Sequence, residues 1–394
     1  MTMRAGKSVE LMAGKLIVGD GQVVEGVNLG IDGGVIREVS DGGLRGVYEE
    51  SLDLTDRFVM PGLIDAHVHI RYGPKRDPVE PSDEYQAIRG AENTRRALMA
   101  GVTSLADAGA VRNVAFAVRS AIDDGVTPGP RLFVCGEMIT MTGGRSTKPG
   151  ARLEVCGADS ARRAARALLM YHRADFIKLG ATGALSSPHT GPRQPQLTVE
   201  EMAAAVEEAH KCGKMVHAHC YGEEGITNAI EAGVDAIVHG QTLTDGHIQT
   251  MKERGMILLP TLKTFCGHIE HLGEGEVHDR VMTTGIWEET EPNFKNALER
   301  GVTIGMGTDA GMPDNLFGEN PKDLEYMVRW GMTPLQAITA GTLNAARSLA
   351  VEDRLGTLEP GKYADLLVLE RDPLQEISAI RTSLEKVMLN GRFL

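Results

Sequence analysis

The sequence predicts an α/β fold, in which a TIM-like (β/α)8 barrel carries a small β-sandwich formed by both ends of the chain. Eight short apolar runs alternate with helical stretches between residues 62 and 350, the order expected of a parallel barrel. Both ends of the chain are instead rich in short β-like runs and Gly-containing turns. Gly-Val dipeptides at 101–102, 233–234 and 301–302 indicate helix-terminating glycines followed by strands.

The β-rich ends are predicted from short apolar runs bounded by turn residues. Strands are expected near residues 16–18, 23–29 and 35–39 at the amino end, where Asp-Gly dipeptides mark the turns. Two more are expected near 365–369 and 386–389, with Asn-Gly as the turn that follows. We therefore predict a discontinuous sandwich of residues 1–60 and 351–394, with the barrel spanning residues 61–350.

The barrel strands are predicted from eight apolar runs between these ends, at residues 63–68, 102–106, 131–135, 176–179, 215–218, 236–238, 257–260 and 302–306. Helical patterns fill most of the gaps, and Thr198 followed by Glu201 predicts a capped helix start. An open doubly wound sheet is the alternative, but no GxGxxG follows the first strand. In a barrel of this kind the active site lies at the carboxyl ends of the strands.

Composition excludes several classes of partner. The 394 residues include 41 Lys and Arg against 54 Asp and Glu, and the net charge of −13 argues against nucleic acid and anionic membranes as partners. Aromatic residues make up only 4%, and no apolar run is long enough to span a bilayer. Five cysteines form no CxxC pair and the first ten residues show no signal peptide. We expect a cytoplasmic protein with a small-molecule substrate.

Potential metal ligands stand at the predicted strand ends. His67 and His69 are two residues apart at the end of the first barrel strand, so both side chains can converge on one cation. His219, His239 and Asp309 close later strands. A structural role is the alternative for each residue alone, but their recurrence at strand ends favours a metal site.

Lys178 lies between apolar neighbours in the fourth predicted strand and is expected to point into the barrel. An unpaired ammonium there costs several kcal/mol. One interpretation is that Lys178 pairs with a carboxylate. The other is that carbon dioxide carboxylates its amine and turns a cation into an anionic ligand.

Taken together, these residues resemble the amidohydrolase superfamily of metal-dependent hydrolases. The resemblance covers almost the whole chain, from the run VMPGLIDAHVH at 59–69 to GTLEPGKYADL at 356–366. It looks closest to the binuclear branch that contains Xaa-Pro and Xaa-Arg dipeptidase-like proteins and imidazolonepropionase-related enzymes.

The resemblance implies a ligand for each expected position of a two-metal centre. His67, His69 and Asp309 would hold the more buried cation, His219 and His239 the other, and a carboxylated Lys178 would bridge both. Zinc is the usual ion for such donors, and iron, manganese or cobalt also fit. His217 shares a strand face with His219, which is preferred because it lies nearer the strand's carboxyl end; His217 is expected deeper in the barrel or as a partner of a ligand.

The expected reaction is hydrolysis of an amide-like C–N bond in a dipeptide, N-acyl amino acid, cyclic amide, carbamate or urea. Two cations that share a water lower its pKa and leave a bridging hydroxide as the nucleophile. Asp309 is the predicted catalytic residue, because it can accept the proton of that water and pass it to the departing nitrogen.

Substrate recognition is expected from loops that follow the strands. The dipeptidase-like relatives tend to have histidine after the paired glycines where this chain has Arg145, a departure that weakens transfer of their substrate. Arg145 either binds a substrate carboxylate or is a solvated loop charge. Tyr221 and His189 are candidates for the wall of the substrate pocket, with packing as the alternative for each.

Two competing functions remain open at this point. A mononuclear deaminase on the same fold generally lacks the bridging lysine, so Lys178 argues against it. A non-catalytic relative would have lost ligands, whereas none is missing here. A homo-oligomer is expected from the resemblance, and no sequence signal fixes the number of subunits.

Overall fold

The computed structural model describes residues 8–74, 77, 79–144, 153–185, 190–271 and 281–394. Its strands, in chain order, are β1 (Val9–Ile17), β2 (Val23–Asp32), β3 (Val35–Ser40), β4 (Glu50–Pro61), β5 (Leu63–Val68), β6 (Val102–Asp107), β7 (Arg131–Val134), β8 (Ile139–Met141), β9 (Leu153–Val155), β10 (Ile177–Gly180), β11 (Val216–Cys220), β12 (Ala236–His239), β13 (Ile257–Leu259), β14 (Thr303–Ile304), β15 (Leu366–Leu369), β16 (Leu384–Leu389) and β17 (Arg392–Phe393).

The helices alternate with the barrel strands and then continue past them. They are α1 (Asp83–Met99), α2 (Val114–Asp123), α3 (Ala158–Met170), α4 (Val199–Lys211), α5 (Glu223–Glu231), α6 (Asp245–Arg254), α7 (Leu262–His271), α8 (Ile286–Glu299), α9 (Lys322–Arg329), α10 (Pro334–Thr339), α11 (Ala345–Ser348) and α12 (Ala379–Thr382), with a π-helical turn, Ala340–Asn344, between α10 and α11. Among the described residues, no helix combines the length and apolar character needed to cross a membrane.

Eight parallel strands form the predicted barrel, which confirms the fold class. They are arranged as two arcs, β5-β6-β7 and β10-β11-β12-β13-β14, and every pairing within each arc is parallel. Backbone hydrogen bonds join the arcs, from Asp175 N to Val134 O (2.8 Å) on one side and from Ala66 N to Met306 O (3.0 Å) on the other. Each of the eight strands overlaps the run from which it was predicted.

Local sequence signals explain where the helices start and stop. Thr198 caps α4 with its side chain, and the Glu201 side chain returns to the Thr198 backbone, as the capping-box pattern predicts. Gly101, Gly233 and Gly301 have φ values of 89°, 84° and 78°, in the left-handed region that glycine reaches without a Cβ clash. The helices therefore end where the next strand must begin.

The ends of the chain form one seven-stranded sheet, in the order β17-β16-β15-β4-β1-β2-β3. β1 pairs antiparallel with β2 and parallel with β4, while β15 pairs antiparallel with β4. Residues from both ends share its buried cluster, including Leu11, Leu29, Val59 and Leu366. The exact unit boundaries at residues 60 and 351 stay a prediction.

Candidate active site

His67, His69 and Asp309 lie close together at the seam where β5 meets the segment after β14. His67 is the fifth residue of β5, His69 follows that strand, and their ring centroids lie 5.2 Å apart. The Nε2 atoms of His67 and His69 lie 3.5 and 3.1 Å from the same carboxylate oxygen of Asp309. Because β5 and the segment after β14 are adjacent at this seam, residues distant in sequence meet at one point.

The backbone holds Asp309 in place. Its φ of 58° lies in the left-handed region, and its N–H donates to the carbonyl of His67 at 2.8 Å. Burial acts to raise the pKa of Asp309, but contacts with His67 and His69 hold it well below its usual range. Asp309 is therefore an anion at neutral pH.

This group fits a divalent cation by its chemistry. His67, His69 and Asp309 each offer one ligand atom, and these atoms lie within 4.8 Å of one another. Burial, and next the charge of Lys178, lower the pKa of His67 well below its ordinary value. Neutral imidazole and anionic carboxylate are the forms that bind metal ions.

His219 and His239 form a second group on neighbouring strands. His219 belongs to β11 and His239 ends β12, and their ring centroids are 4.6 Å apart. The Nδ1 atom of His219 lies 2.8 Å from the Nε2 atom of His239. The opposite ring nitrogens contact the Gly183 carbonyl (3.0 Å) and the Thr261 hydroxyl (2.8 Å). Each imidazole thus directs one nitrogen towards the other ring, and its second nitrogen is held by a hydrogen bond to the surrounding protein.

Lys178 lines the same pocket as both groups and lies beside the first. Its side chain is 1% exposed and its Nζ lies 3.5 Å from Nδ1 of His67, while the ring of His67 is 5.7 Å from that of His239. A cationic ammonium at this position opposes the binding of further cations, whereas an anionic carbamate would favour it. The position therefore fits the predicted carboxylation better than it fits an ammonium beside metal ions.

The predicted substrate residues have different outcomes. Tyr221 lines the pocket but is only 4% exposed, and its ring stacks on that of His239 at 4.5 Å and 14°. It therefore packs against a predicted ligand as well as facing the pocket. Arg145 and His189 lie outside the described residues.

His217 lies deeper in the barrel. Its Nε2 is 2.6 Å from the Ser348 carbonyl, and its ring packs on Phe176 at 4.8 Å. Burial lowers the pKa of His217 to about 4, so the ring is neutral. This placement agrees with the choice of His219 as the residue nearer the pocket.

Residues around the predicted ligands form the rest of the pocket. Most are apolar or aromatic, and those beyond the ligands and Tyr221 are Tyr72, Ala108, Gly109, Met138, Ala184, Leu185, Thr264, Met312 and Pro313. In the described part of the pocket, the predicted ligands therefore form a polar floor, and the other lining residues form a largely apolar rim around it.

Several residues that support the site were not predicted from the sequence. The fully buried carboxylate of Asp65 accepts hydrogen bonds from the Thr308 amide (3.0 Å), the Thr308 hydroxyl (2.6 Å) and Asn320 Nδ2 (2.8 Å). Burial raises the pKa of Asp65. Asp107, the last residue of β6, similarly accepts hydrogen bonds from the backbone amides of Ile70 (2.9 Å) and Ala110 (3.0 Å). A buried position directly beside the HxH pair was the available signal for Asp65.

Comparison with known proteins adds an independent line of evidence. The family model described as "Amidohydrolase family" matches residues 58–394. The ochratoxinase of Aspergillus niger is 30% identical over 404 residues, covering 94% of this chain and 83% of its own length.

Two solved structures extend the likeness to three dimensions. A Xaa-Pro dipeptidase with bound methionine in its active site gives a TM-score of 0.87 at 31% identity, covering 98% of this chain and 99% of its own. The crystal structure of the A. niger ochratoxinase gives a TM-score of 0.87 at 26% identity, covering 99% and 96%.

Proposed function

Because this chain belongs to the amidohydrolase family and is a hydrolase that acts on carbon–nitrogen bonds, we propose that it cleaves an amide-like bond with two divalent cations. One observation carries the proposal. All six residues proposed as ligands line a single pocket at the carboxyl ends of barrel strands: His67, His69, Lys178, His219, His239 and Asp309.

The two groups described above would each hold one cation. His67, His69 and Asp309 would bind one ion, and His219 and His239 the other. Zinc is the first candidate, and iron, manganese and cobalt suit the same nitrogen and oxygen donors. When bound, such ions lower the pKa of a water molecule and polarise the carbonyl group of the substrate.

A bridging role is proposed for Lys178 after carboxylation. The ammonium would first lose a proton, and the neutral amine would then add to carbon dioxide, forming an N–C bond and releasing a second proton, so that a carbamate anion replaces the buried cation. Burial of Lys178 and its 3.5 Å distance from His67 support this step. The carbamate oxygens would face both groups of histidines.

Asp309 is the proposed catalytic residue. Its carboxylate is buried, anionic and directed at His67 and His69, so it can hold a proton taken from the attacking water. Transfer of that proton to the departing nitrogen would turn the amine into a good leaving group. The surrounding apolar rim would keep bulk water from competing for this proton.

The first substrates to test are dipeptides, N-acyl amino acids, lactams, carbamates and ureas. The likeness to a Xaa-Pro dipeptidase supports dipeptides, and that to ochratoxinase supports including ochratoxin. Part of the pocket wall is apolar, and Met138, Leu185 and Met312 contribute to it. A substrate with an apolar group beside its scissile bond would fit this wall.

Asp309→Asn is the direct test of the mechanism. Turnover of the best substrate should fall by about 10²–10⁴-fold while bound metal is retained, because the proton acceptor is lost. Asp314→Asn is the matched control, since Asp314 is exposed on the same loop and also has a left-handed φ of 60°. Near-normal activity of Asp309→Asn would contradict the assignment.

Metal analysis separates the competing functions. About two cations per chain supports the proposed hydrolase, one supports a mononuclear deaminase, and none supports a non-catalytic relative. Cleavage of esters with no cleavage of any carbon–nitrogen bond would contradict the proposed bond type.

We further propose a cytoplasmic enzyme that acts on a small molecule as a homo-oligomer. All five cysteines are free thiols, which suits a reducing compartment. Size-exclusion chromatography with light scattering would test the oligomer.

A further inference from the structure

Thr261 has an unusual backbone conformation next to the proposed site. It follows β13 and Pro260, is completely buried, and has a φ of 55°. Left-handed backbone is rare for a β-branched residue and costs about 1–3 kcal/mol. His239 and Asp309, at the ends of the neighbouring barrel strands, share the left-handed region. Such strain persists only where the surrounding structure holds the backbone in place.

The hydroxyl of Thr261 reaches one of the proposed ligands. Its Oγ1 lies 2.8 Å from Nδ1 of His239, on the side of the ring away from His219. A hydroxyl can either accept a hydrogen bond from this nitrogen or donate one to it. The direction of this bond decides which nitrogen of His239 carries the proton.

His219 fixes the other half of the arrangement. Its Nε2 lies 3.0 Å from the Gly183 carbonyl, which only accepts, so the proton of the neutral ring lies on Nε2. The Nδ1 atom of His219 then presents a lone pair to Nε2 of His239, 2.8 Å away. A cation bound by both rings also needs a lone pair on Nε2 of His239, which requires the His239 proton on Nδ1.

We propose that Thr261 is a positioning residue that accepts the Nδ1 proton of His239 and so keeps Nε2 available to a cation shared with His219. This inference rests on the proposed two-metal function. Without the hydroxyl, an Nδ1–H would be buried with no acceptor from Thr261. The ring would then favour the proton on Nε2, where it bonds to Nδ1 of His219 and closes that half of the site to metal.

Three variants separate the hydroxyl from the shape of the side chain. Thr261→Val keeps the β-branched shape and the backbone strain but removes the acceptor. Thr261→Ser keeps the acceptor and removes the branch. Thr94→Val is the matched control, since Thr94 is also fully buried and bonds a carbonyl, that of Ala91, in α1. Thr261→Ala serves as a second variant without the hydroxyl if Thr261→Val does not fold.

The experiment measures metal binding directly, without activity. Each purified protein is stripped with a chelator and titrated with Zn²⁺ against a fluorescent indicator, and Co²⁺ loading is followed by its visible spectrum. Wild type, Thr261→Ser and Thr94→Val should bind two ions alike. Thr261→Val should bind one ion normally and the second about 10–100-fold more weakly, the usual effect of removing a partner of a metal-ligating histidine.

The other possible results contradict either the role of Thr261 or the two-metal function. Two ions bound equally well by wild type and Thr261→Val would overturn the role of Thr261 and leave the proposed function standing. Equal weakening in Thr261→Val and Thr261→Ser would also overturn it, because the branch rather than the hydroxyl would then matter. Fewer than two ions bound by wild type would overturn the proposed two-metal function and this inference with it.

Discussion

Replacing the buried residues Lys263 and Asn315, singly and together, tests how the loop that carries Asp309 is held. Lys263 is 4% exposed and donates to the side chain of Asn315 and to the Leu316 carbonyl (3.0 Å). Asn315 in turn donates to the Thr308 carbonyl at 2.8 Å, directly before Asp309. The pair thus links a buried charge to the backbone of the proposed catalytic residue.

The expected energies follow from what each substitution leaves behind. Burial lowers the pKa of Lys263 to about 8, so the amine is mainly charged at pH 7. Asn315→Leu leaves that buried charge with one acceptor fewer, and we expect a loss of about 1.5–3 kcal/mol. Lys263→Met leaves the Asn315 carbonyl oxygen without its donor, and we expect a loss of about 1–3 kcal/mol. The double variant should lose less than the sum, by about 0.5–3 kcal/mol.

Denaturant unfolding at pH 7, followed by tryptophan fluorescence and circular dichroism, measures the four free energies. Lys322→Met is the control, because Lys322 forms a partly exposed ion pair with Glu319 at 3.0 Å, worth about 0–1 kcal/mol. If the two single losses add to within about 0.5 kcal/mol, Lys263 and Asn315 do not act as one network, because residues in contact within a network couple.

Three further predictions address the same loops and strands. Wild-type protein supplied with ¹³C-bicarbonate should show a carbamate NMR signal that Lys178→Gln lacks, and a signal common to both would contradict carboxylation of this lysine. Gly311→Ala should lower the free energy of unfolding by about 2–4 kcal/mol and weaken metal binding, because φ is 101° and a Cβ would lie 2.1 Å from the His69 carbonyl oxygen. Gly267→Ala is the control in thermal unfolding, because the space around Gly267 is open. Burial raises the pKa of Asp323 to about 8, so folding favours its neutral form. The free energy of unfolding should therefore fall by about 1.4 kcal/mol per pH unit between about pH 4 and pH 8. Asp323→Asn should lose this slope in denaturant titrations, and equal slopes for the variant and wild type would contradict the prediction.

The barrel could be predicted because its strands are continuous apolar runs separated by helices. The convergence of the six proposed ligands on one pocket could be predicted because strand ends in such a barrel share one face. β8 and β9 were missed, since each is only three residues long. They pair with each other, and β8 meets β10 only where Ile139 pairs with Leu179. β4 was missed because polar residues such as Asp53 and Arg57 interrupt its apolar pattern, while its partners lie at both ends of the chain.

The supporting residues were harder to predict because their roles depend on tertiary contacts. Nothing local to Thr261 indicates a left-handed conformation, which arises only when the chain turns after β13 towards His239. Lys263 lies at the start of α7, whereas its acceptors come from residues 315 and 316. Hydrophobic period and residue propensity describe neighbours in sequence, whereas these bonds join segments that are far apart in sequence.

Closure of the barrel and assembly of the proposed site use the same hydrogen bonds. At the seam between β5 and the segment after β14, Asp309 N–H donates to His67 O and His69 N–H to Ala310 O, both at 2.8 Å. The Asp65 carboxylate strengthens this seam by accepting from the backbone and side chain of Thr308. Because these bonds close the barrel and also position the three proposed ligands, we expect a change that loosens the seam to disturb the proposed metal site as well. The strained backbone of Asp309 is therefore held by the fold as a whole, which is why a local motif alone could suggest the proposed ligands but not the hydrogen bonds that align them.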